Sequence, residues 1–400
     1  MRFLFKIKKF MAKAVASLIP CQRARKRVRN FLVDWSFLSV ARYLGNGAKA
    51  VRPNSILIFE PNRCHGECIP GYARYFLDMG FNVDVLMHRA VEVEHPCHRI
   101  SQEEKLSLNG SNCIMMRLWM NKKRAGCYKA ILINSSALYW VPDENRLASS
   151  TIDHFNLRDM KNLLIVEHDL MDAGRFHEIS FLEAGRLLTL GRFSRGTMVN
   201  PHYFGKIRVS PKNSTTRFIV VGNITERRKR HSLIFDAISR LKAAGIDNFE
   251  IVIVGGGGSL GHIPGGIRSH IHMRGRLDYP EMYDEMEKAD FYLPLLDPDN
   301  ESHNRYITTG VTGSALLIYG FLKPCLIHGK FAAFYGFNKA NSIIYEDDFA
   351  ASMKCAVEMD AAGYAGLQNQ LKSLADSLYA ESMGNLTRIV MNGAGTDCPK

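Results

Sequence analysis

The stretch Phe218–Leu241, FIVVGNITERRKRHSLIFDAISRL, decides the fold class because it reads as a complete strand–loop–helix unit. The apolar run 217–222 has the length of a strand and stops at Gly222. A polar loop then carries Arg227, Arg228, Lys229 and Arg230, after which Leu233, Ile234, Ala237, Ile238 and Leu241 recur at helical spacing. In an open α/β fold the loop at a strand's carboxyl end faces the ligand crevice. Cations there suit a diphosphate, since one arginine can hold two oxygens at once. The bland alternative is a solvated charged turn.

The same unit repeats in both directions from this stretch. Short β-rich runs stand at 55–59, 83–87, 130–134, 163–167 and 197–201, and again at 217–222, 249–258, 270–275, 290–295, 325–329 and 342–346, with helical patterns between them. Strands alternating with helices imply right-handed crossovers and mostly parallel sheets. The expected organisation is an N-terminal extension over 1–52, a Rossmann-like domain over 53–205, a polar linker at 206–216, a second Rossmann-like domain over 217–375, and a C-terminal helix and tail over 376–400 that returns toward the first domain. Such a tandem places the active site in a cleft between the carboxyl ends of two sheets. In the last helical region Met353, Ala356, Met359, Leu367, Leu371, Leu374 and Leu378 have core-facing spacing.

Downstream of the opening stretch come IVIVGGGG (251–258), IHMRGRLDYPEMYDEMEKADFYLPL (271–295) and NRYITTGVTGSALLIYGFLKPCLI (304–327). In the last of these, Thr308, Thr309, Gly310, Thr312, Gly313 and Ser314 precede an apolar helix, which puts free N–H groups and hydroxyls at a helix start. That is an anion site, and its glycines let the backbone approach a ligand; an ordinary capped turn is the alternative.

The ordered set over 217–328 resembles the nucleotide-binding domain of GT-B glycosyltransferases, especially glycosyltransferase family four. The resemblance implies an α/β GT-B fold and a nucleotide diphosphate-sugar donor. It implies donor contacts at Gly222, Arg227, Arg228, Lys229, Gly255, Gly256, Arg274, Gly275, Thr309, Gly310, Thr312, Gly313 and Ser314. Family four usually carries two glutamates eight positions apart; here Thr309 and Leu317 occupy those positions, and Glu301 in LDPDNESHNRY is a candidate for the donor sugar.

In the first half, FEPNRCHGECIPGYARYFLDMGFNVDVL places Glu60, Asn62, Cys64, His65, Glu67 and Cys68 on a loop after a strand. Glu67 or a neutral His65 would polarise an acceptor hydroxyl, unless the loop only caps the helix starting near Pro70. His168, after LLIVE, stands where the resemblance implies a donor-sugar contact or charge stabiliser. A zinc site from Cys64, His65, Cys68, His95, Cys97 and His98 is rejected because the second ligand pair lacks metal spacing. No metal or cofactor is demanded, since cations and a helix terminus can take its place.

The composition fits a globular enzyme: of 400 residues 46% are apolar and 23% charged, which excludes a disordered chain. The net charge of +13 suggests nucleic acid until it is located. Ten Lys/Arg and no acid fall in residues 1–30, which leaves the rest nearly neutral and disfavours nucleic acid as a partner. In that segment Phe3, Leu4, Phe5, Ile7, Phe10 and Met11 interleave with lysines, as in an amphipathic helix on an anionic membrane surface, or in an arm packed on the body. No apolar run reaches spanning length, lysines interrupt the place of a signal peptide, and the nine cysteines form no evident framework. The expected location is the cytoplasm, at the inner face of the cytoplasmic membrane if the arm binds lipid.

Together these readings describe a transferase that moves a sugar from a nucleotide diphosphate donor to a saccharide or lipid-linked acceptor, in bacterial surface polysaccharide or lipopolysaccharide synthesis. The alternatives are a nucleotide-sugar 2-epimerase on the same fold, and a non-catalytic or RNA-binding protein with a basic arm.

Overall fold

The computed structural model describes residues 2–21, 49–138, 149–171, 184–223, 229–256 and 263–393, with isolated positions 25, 45, 181, 182 and 225. The chain forms two compact units: Met1–Pro96 with Ser101–Val166 and Ile389–Lys400, and Cys97–Ile100 with Glu167–Arg388.

The first unit begins with helix α1, Arg2–Ser17. Its strands are β1 (Ser55–Glu60), β2 (Asn82–His88), β3 (Leu106–Ser111), β4 (Ala130–Ile133) and β7 (Leu163–Glu167), with the short antiparallel pair β5 (Ala137–Leu138) and β6 (Ser149–Ser150) between the last two. The five longer strands follow one another in parallel in the order β3-β2-β1-β4-β7, which makes β1 central. Every residue of β1 is buried, as expected of a strand covered on both faces. Helix α2 (Ile69–Asp78) returns from β1 with Pro70 in its first turn and buries Tyr72, Tyr75 and Phe76. β3 escaped the sequence reading because LSLNGS has few strand-forming apolar residues.

In the second unit β8 (Leu187–Thr189) and β9 (Thr197–Met198) pair in parallel. β10 (Thr216–Val221), β11 (Phe249–Val254), β12 (Ile271–Gly275) and β13 (Phe291–Tyr292) form a parallel sheet in the order β12-β11-β10-β13. A single bridge from Tyr292 to Cys325 joins β13 to the parallel pair β14 (Leu326–His328) and β15 (Ile343–Tyr345). The helices are α3 (Ser232–Ala243), α4 (Tyr279–Lys288), α5 (Glu301–Thr308), α6 (Gly313–Phe321), α7 (Phe349–Glu358) and the long α8 (Ala361–Gly393). Phe218, Ile234, Ile238, Ile251, Phe291 and Met353 lie in the core that α3 and α7 share with the sheet.

Two differences from the sequence reading bear on the site. The run 290–295 is strand only over Phe291–Tyr292, because Pro294 has no N–H to donate and Leu295 takes a left-handed backbone (φ 54°). The presumed loop LDPDNESHNRY contains helix α5, whose start is capped by the Asn300 side chain accepting from Ser302 N–H; its polar sequence carries no apolar period. Residues 167–205 fall in the second unit. There Asn200 N–H donates to Ser382 Oγ (2.9 Å) and His202 Nε2 lies 3.1 Å from the Ala375 carbonyl of α8.

Candidate functional site

In the second unit the carboxyl ends of β10 and β13 meet the start of α6 around one buried cation. β10 ends at Gly222, whose φ of 134° is closed to other residues, and a Cβ there would stand 3.0 Å from Lys229 Cε. The Lys229 side chain passes over this glycine and donates to the Pro294 carbonyl (2.9 Å) and Ser314 Oγ (3.2 Å). Its ammonium also lies 5.9 Å from the centre of the Tyr292 ring. Only 6% of Lys229 is exposed and no carboxylate pairs with it in the described residues, so burial pushes its pKa down to about 7. Tyr292 Oη completes the cluster, 3.0 Å from Ser314 Oγ and 3.2 Å from the Val221 carbonyl.

The start of α6 is held open. Thr312 caps it, with Oγ1 accepting from Ser314 N–H (3.4 Å). Tyr335 Oη accepts from Thr312 N–H (3.2 Å) and donates to the Tyr306 carbonyl (2.6 Å), tying the turn to the end of α5. Gly313 is exposed, a Cβ built on it would meet nothing within 4 Å, and its N–H has no partner among the described residues. A helix start with an open N–H and an ammonium beneath it is a site of positive potential that suits an anion.

His168 joins the same turn. Asp169 forms an antiparallel bridge with Gly310, Leu170 N–H donates to the Thr309 carbonyl (2.7 Å), and a Cβ on Gly310 would stand 2.9 Å from the His168 carbonyl oxygen. Asp169 lies 3.6 Å from Arg305 of α5. Thr309 therefore ends α5 rather than opening α6, and its buried Oγ1 has no hydrogen-bond partner among the described residues. Gly310 is likewise a packing glycine.

Other expected donor residues separate from this cluster. Arg227 and Arg228 lie outside the described residues. Arg230, next in the basic run, is paired with Asp297 (3.2 Å). Arg274 lies 3.4 Å from Glu285 of α4, which also binds Arg217 (2.6 Å). Gly255 N–H donates to the Gly275 carbonyl (2.9 Å), which joins the carboxyl ends of the parallel strands β11 and β12, with Gly256 next in line. Glu301 is exposed in the first turn of α5. A cavity of about 430 Å³ lined by Arg208, Arg217, Glu250 and Glu287 sits at the amino ends of β10 and β11, away from the ends that carry Lys229. Its charges are already paired with one another or with neighbouring residues.

In the first unit the loop after β1 gathers Cys64, His65 and Glu67 before α2. His65 takes a left-handed backbone (φ 60°), and its Nδ1 lies 3.5 Å from Glu67 Oε1. Burial works against the imidazolium, but the Cys64 sulfur and the Glu67 carboxylate outweigh it and hold the His65 pKa well above the usual value.

No protein family profile matches the chain, and no curated protein matches it in sequence. Its fold does match solved structures. AviGT4, a glycosyltransferase of avilamycin A biosynthesis, is 11% identical with a TM-score of 0.54, over 86% of this chain and 99% of that one. A glycosyltransferase from Rickettsia africae is 11% identical with a TM-score of 0.52, over 87% of this chain and 100% of that one. HepE from Anabaena, solved with UDP and glucose, is 12% identical with a TM-score of 0.50, over 84% of this chain and 99% of that one. The chain therefore has the α/β GT-B fold of these proteins.

Proposed function

We propose that the protein is a glycosyltransferase that moves a sugar from a nucleotide diphosphate-sugar to a hydroxyl of a glycan or lipid-linked saccharide. The observation that carries this reading is the convergence of Lys229 on Ser314 beneath the open N–H of Gly313. A diphosphate departing there would leave with its growing charge met by an ammonium and a helix start, both already in place. HepE, which shares the fold, was solved with UDP and glucose. Within GT-B enzymes we assign the chain to a group resembling family four in which Thr309 and Leu317 replace the glutamate pair. Synthesis of a bacterial surface polysaccharide or lipopolysaccharide is the pathway we infer.

A thermal-shift panel of nucleotide sugars, followed by product analysis with the best hit, tests the reading. Stabilisation by a nucleoside diphosphate-sugar and acceptor-dependent product are expected. Turnover of the donor without acceptor would replace the transferase with an epimerase, and a nucleic-acid shift without any sugar-nucleotide shift would end both.

We also infer that the arm works at an anionic membrane. On α1 the buried Ala12 and Ala16 mark one side, while Phe10, Met11 and Val15, with Leu18 just after the helix, are exposed, Leu18 by 82%. Ten cations without an acid accompany them in residues 1–30, each worth about 1 kcal/mol near such a surface. No helix among the described residues is long and apolar enough to cross a membrane. In flotation, the full chain should rise with phosphatidylglycerol vesicles and not with neutral ones, and a Val15→Asp/Leu18→Asp variant should stay below. Equal partition of the variant would defeat the surface-contact reading.

A further inference from the structure

Glu60 ends the central strand of the first unit with no exposed surface. Three groups reach its carboxylate and all of them donate: Asn62 N–H at 2.7 Å, Asn134 Nδ2 at 2.8 Å and Ser135 Oγ at 2.6 Å. Such a ring of donors fits an ionised carboxylate, which has only acceptor positions to satisfy. Burial raises the Glu60 pKa above 4.5, while His65 and these hydrogen bonds pull in the opposite direction. Asn134 Nδ2 spends its other hydrogen on the His65 carbonyl (2.9 Å). One amide group thus joins a buried carboxylate to the backbone of a left-handed residue, a conformation uncommon for a residue with a Cβ.

Other buried ionisable groups hold the fold's own backbone. Lys323 Nζ donates to the Glu287 carbonyl, and Asp290 accepts from the N–H groups of Asn213 and Arg217. The Glu60 network instead ends on a loop residue whose side chain is itself ionisable.

We propose that Glu60 is a positioning residue for His65: its buried carboxylate holds the Asn134 amide that clamps the loop backbone carrying this side chain. The charged and titratable neighbours of His65 are Cys64 and Glu67 from its own loop and Glu60 from β1. Arg63, the loop's cation, acts on the buried His88 at the end of β2, and the Cys68 thiol is buried, with its pKa pushed well up. Taking a buried carboxylate out of water is costly without donors, and here they come from Asn62 on the loop and from Asn134 and Ser135 after β4. The inference deepens the transferase reading and rests on it in one respect, that His65 presents its N–H groups to the acceptor.

The test is an NMR titration of His65 in the full chain, its resonance assigned by loss in His65→Asn. Glu60→Gln keeps the shape and removes the charge, and should lower the His65 pKa by about one unit. Asn134→Ala keeps the charge and cuts the clamp. It should raise the acceptor KM by about fivefold or more and leave the donor KM within about twofold. A purely structural Glu60 would lower the melting temperature and leave the His65 titration in place, and that result overturns the proposal. Should Glu60→Gln not fold, an unchanged acceptor KM in Asn134→Ala overturns it instead. Failure to find any transfer activity would remove the transferase reading, while the His65 titration would still decide the role of Glu60.

Discussion

The loop after β1 and the loop after β10 occupy the same place in two Rossmann-like units, and they solve opposite electrostatic problems. The first buries a carboxylate, Glu60, surrounds it with donors and ties it through Asn134 to the His65 backbone. The second buries an ammonium, Lys229, and gives it a carbonyl, a hydroxyl and an aromatic face but no acid among the described residues. One loop is internally compensated. The other encloses a lysine with no carboxylate beside it among the described residues, the arrangement on which the proposed diphosphate site rests. The comparison teaches that topology chooses where chemistry is placed, whereas the few side chains that fold inward choose its sign.

The comparison breaks most easily at Lys229. Lys229→Met should keep the fold, lose thermal stabilisation by nucleotide sugar, and lower kcat/KM by about a hundredfold, the scale of a lost charge-stabilising donor. Its effect on stability has a sign that tests the same point. Because the folded pKa is about 7 against 10.5 in the open chain, the unfolded state binds the proton more tightly between those values, and the stability of the native protein should rise with pH across that window. In Lys229→Met that rise should vanish, as followed by thermal melts at pH 7 and pH 9. A variant with undiminished donor stabilisation would show that the second loop, like the first, serves only its own fold.

A smaller effect is expected at Gly313, where an added side chain points into open space. Gly313→Val should melt within a few degrees of the native protein, since exposed positions tolerate change, yet weaken donor binding by about tenfold or more by occupying the anion's place. Donor affinity equal to that of the native chain would move the ligand away from α6. The smallest effect belongs to Tyr335, whose hydroxyl steadies the turn from behind. Tyr335→Phe should cost about 1 kcal/mol in chemical denaturation for each hydrogen bond lost and raise the donor KM by about threefold. A stability loss without any change in KM would make the hydroxyl purely structural.

Much of this was legible before any coordinates. The unit built on β10, its basic loop and α3 follows from Phe218–Leu241 alone, and the order of runs after it predicts the parallel sheet that Phe249–Val254 and Ile271–Gly275 complete. The turn Thr312–Ser314 was recognisable as a helix start because Thr, Gly and Ser in front of an apolar run are capping chemistry. Less visible were β3 and α5, whose polar residues give no period, and Tyr335, more than twenty residues from the turn it steadies. Glu60 stood out only as one polar residue among several on its loop.

What the amino-acid order determined by itself is the alternation of strand and helix, the position of the glycines and cations at strand ends, and the concentration of charge in the first thirty residues. These are local properties, set by propensity, spacing and backbone stereochemistry. Tertiary structure alone decided which charges are free. Arg230 and Arg274 stand after or at strand ends as Lys229 does, but each has a carboxylate from another element, while Lys229 has none among the described residues. The strength of a charge depends on its dielectric surroundings and its partners, and those are brought together only when distant segments pack.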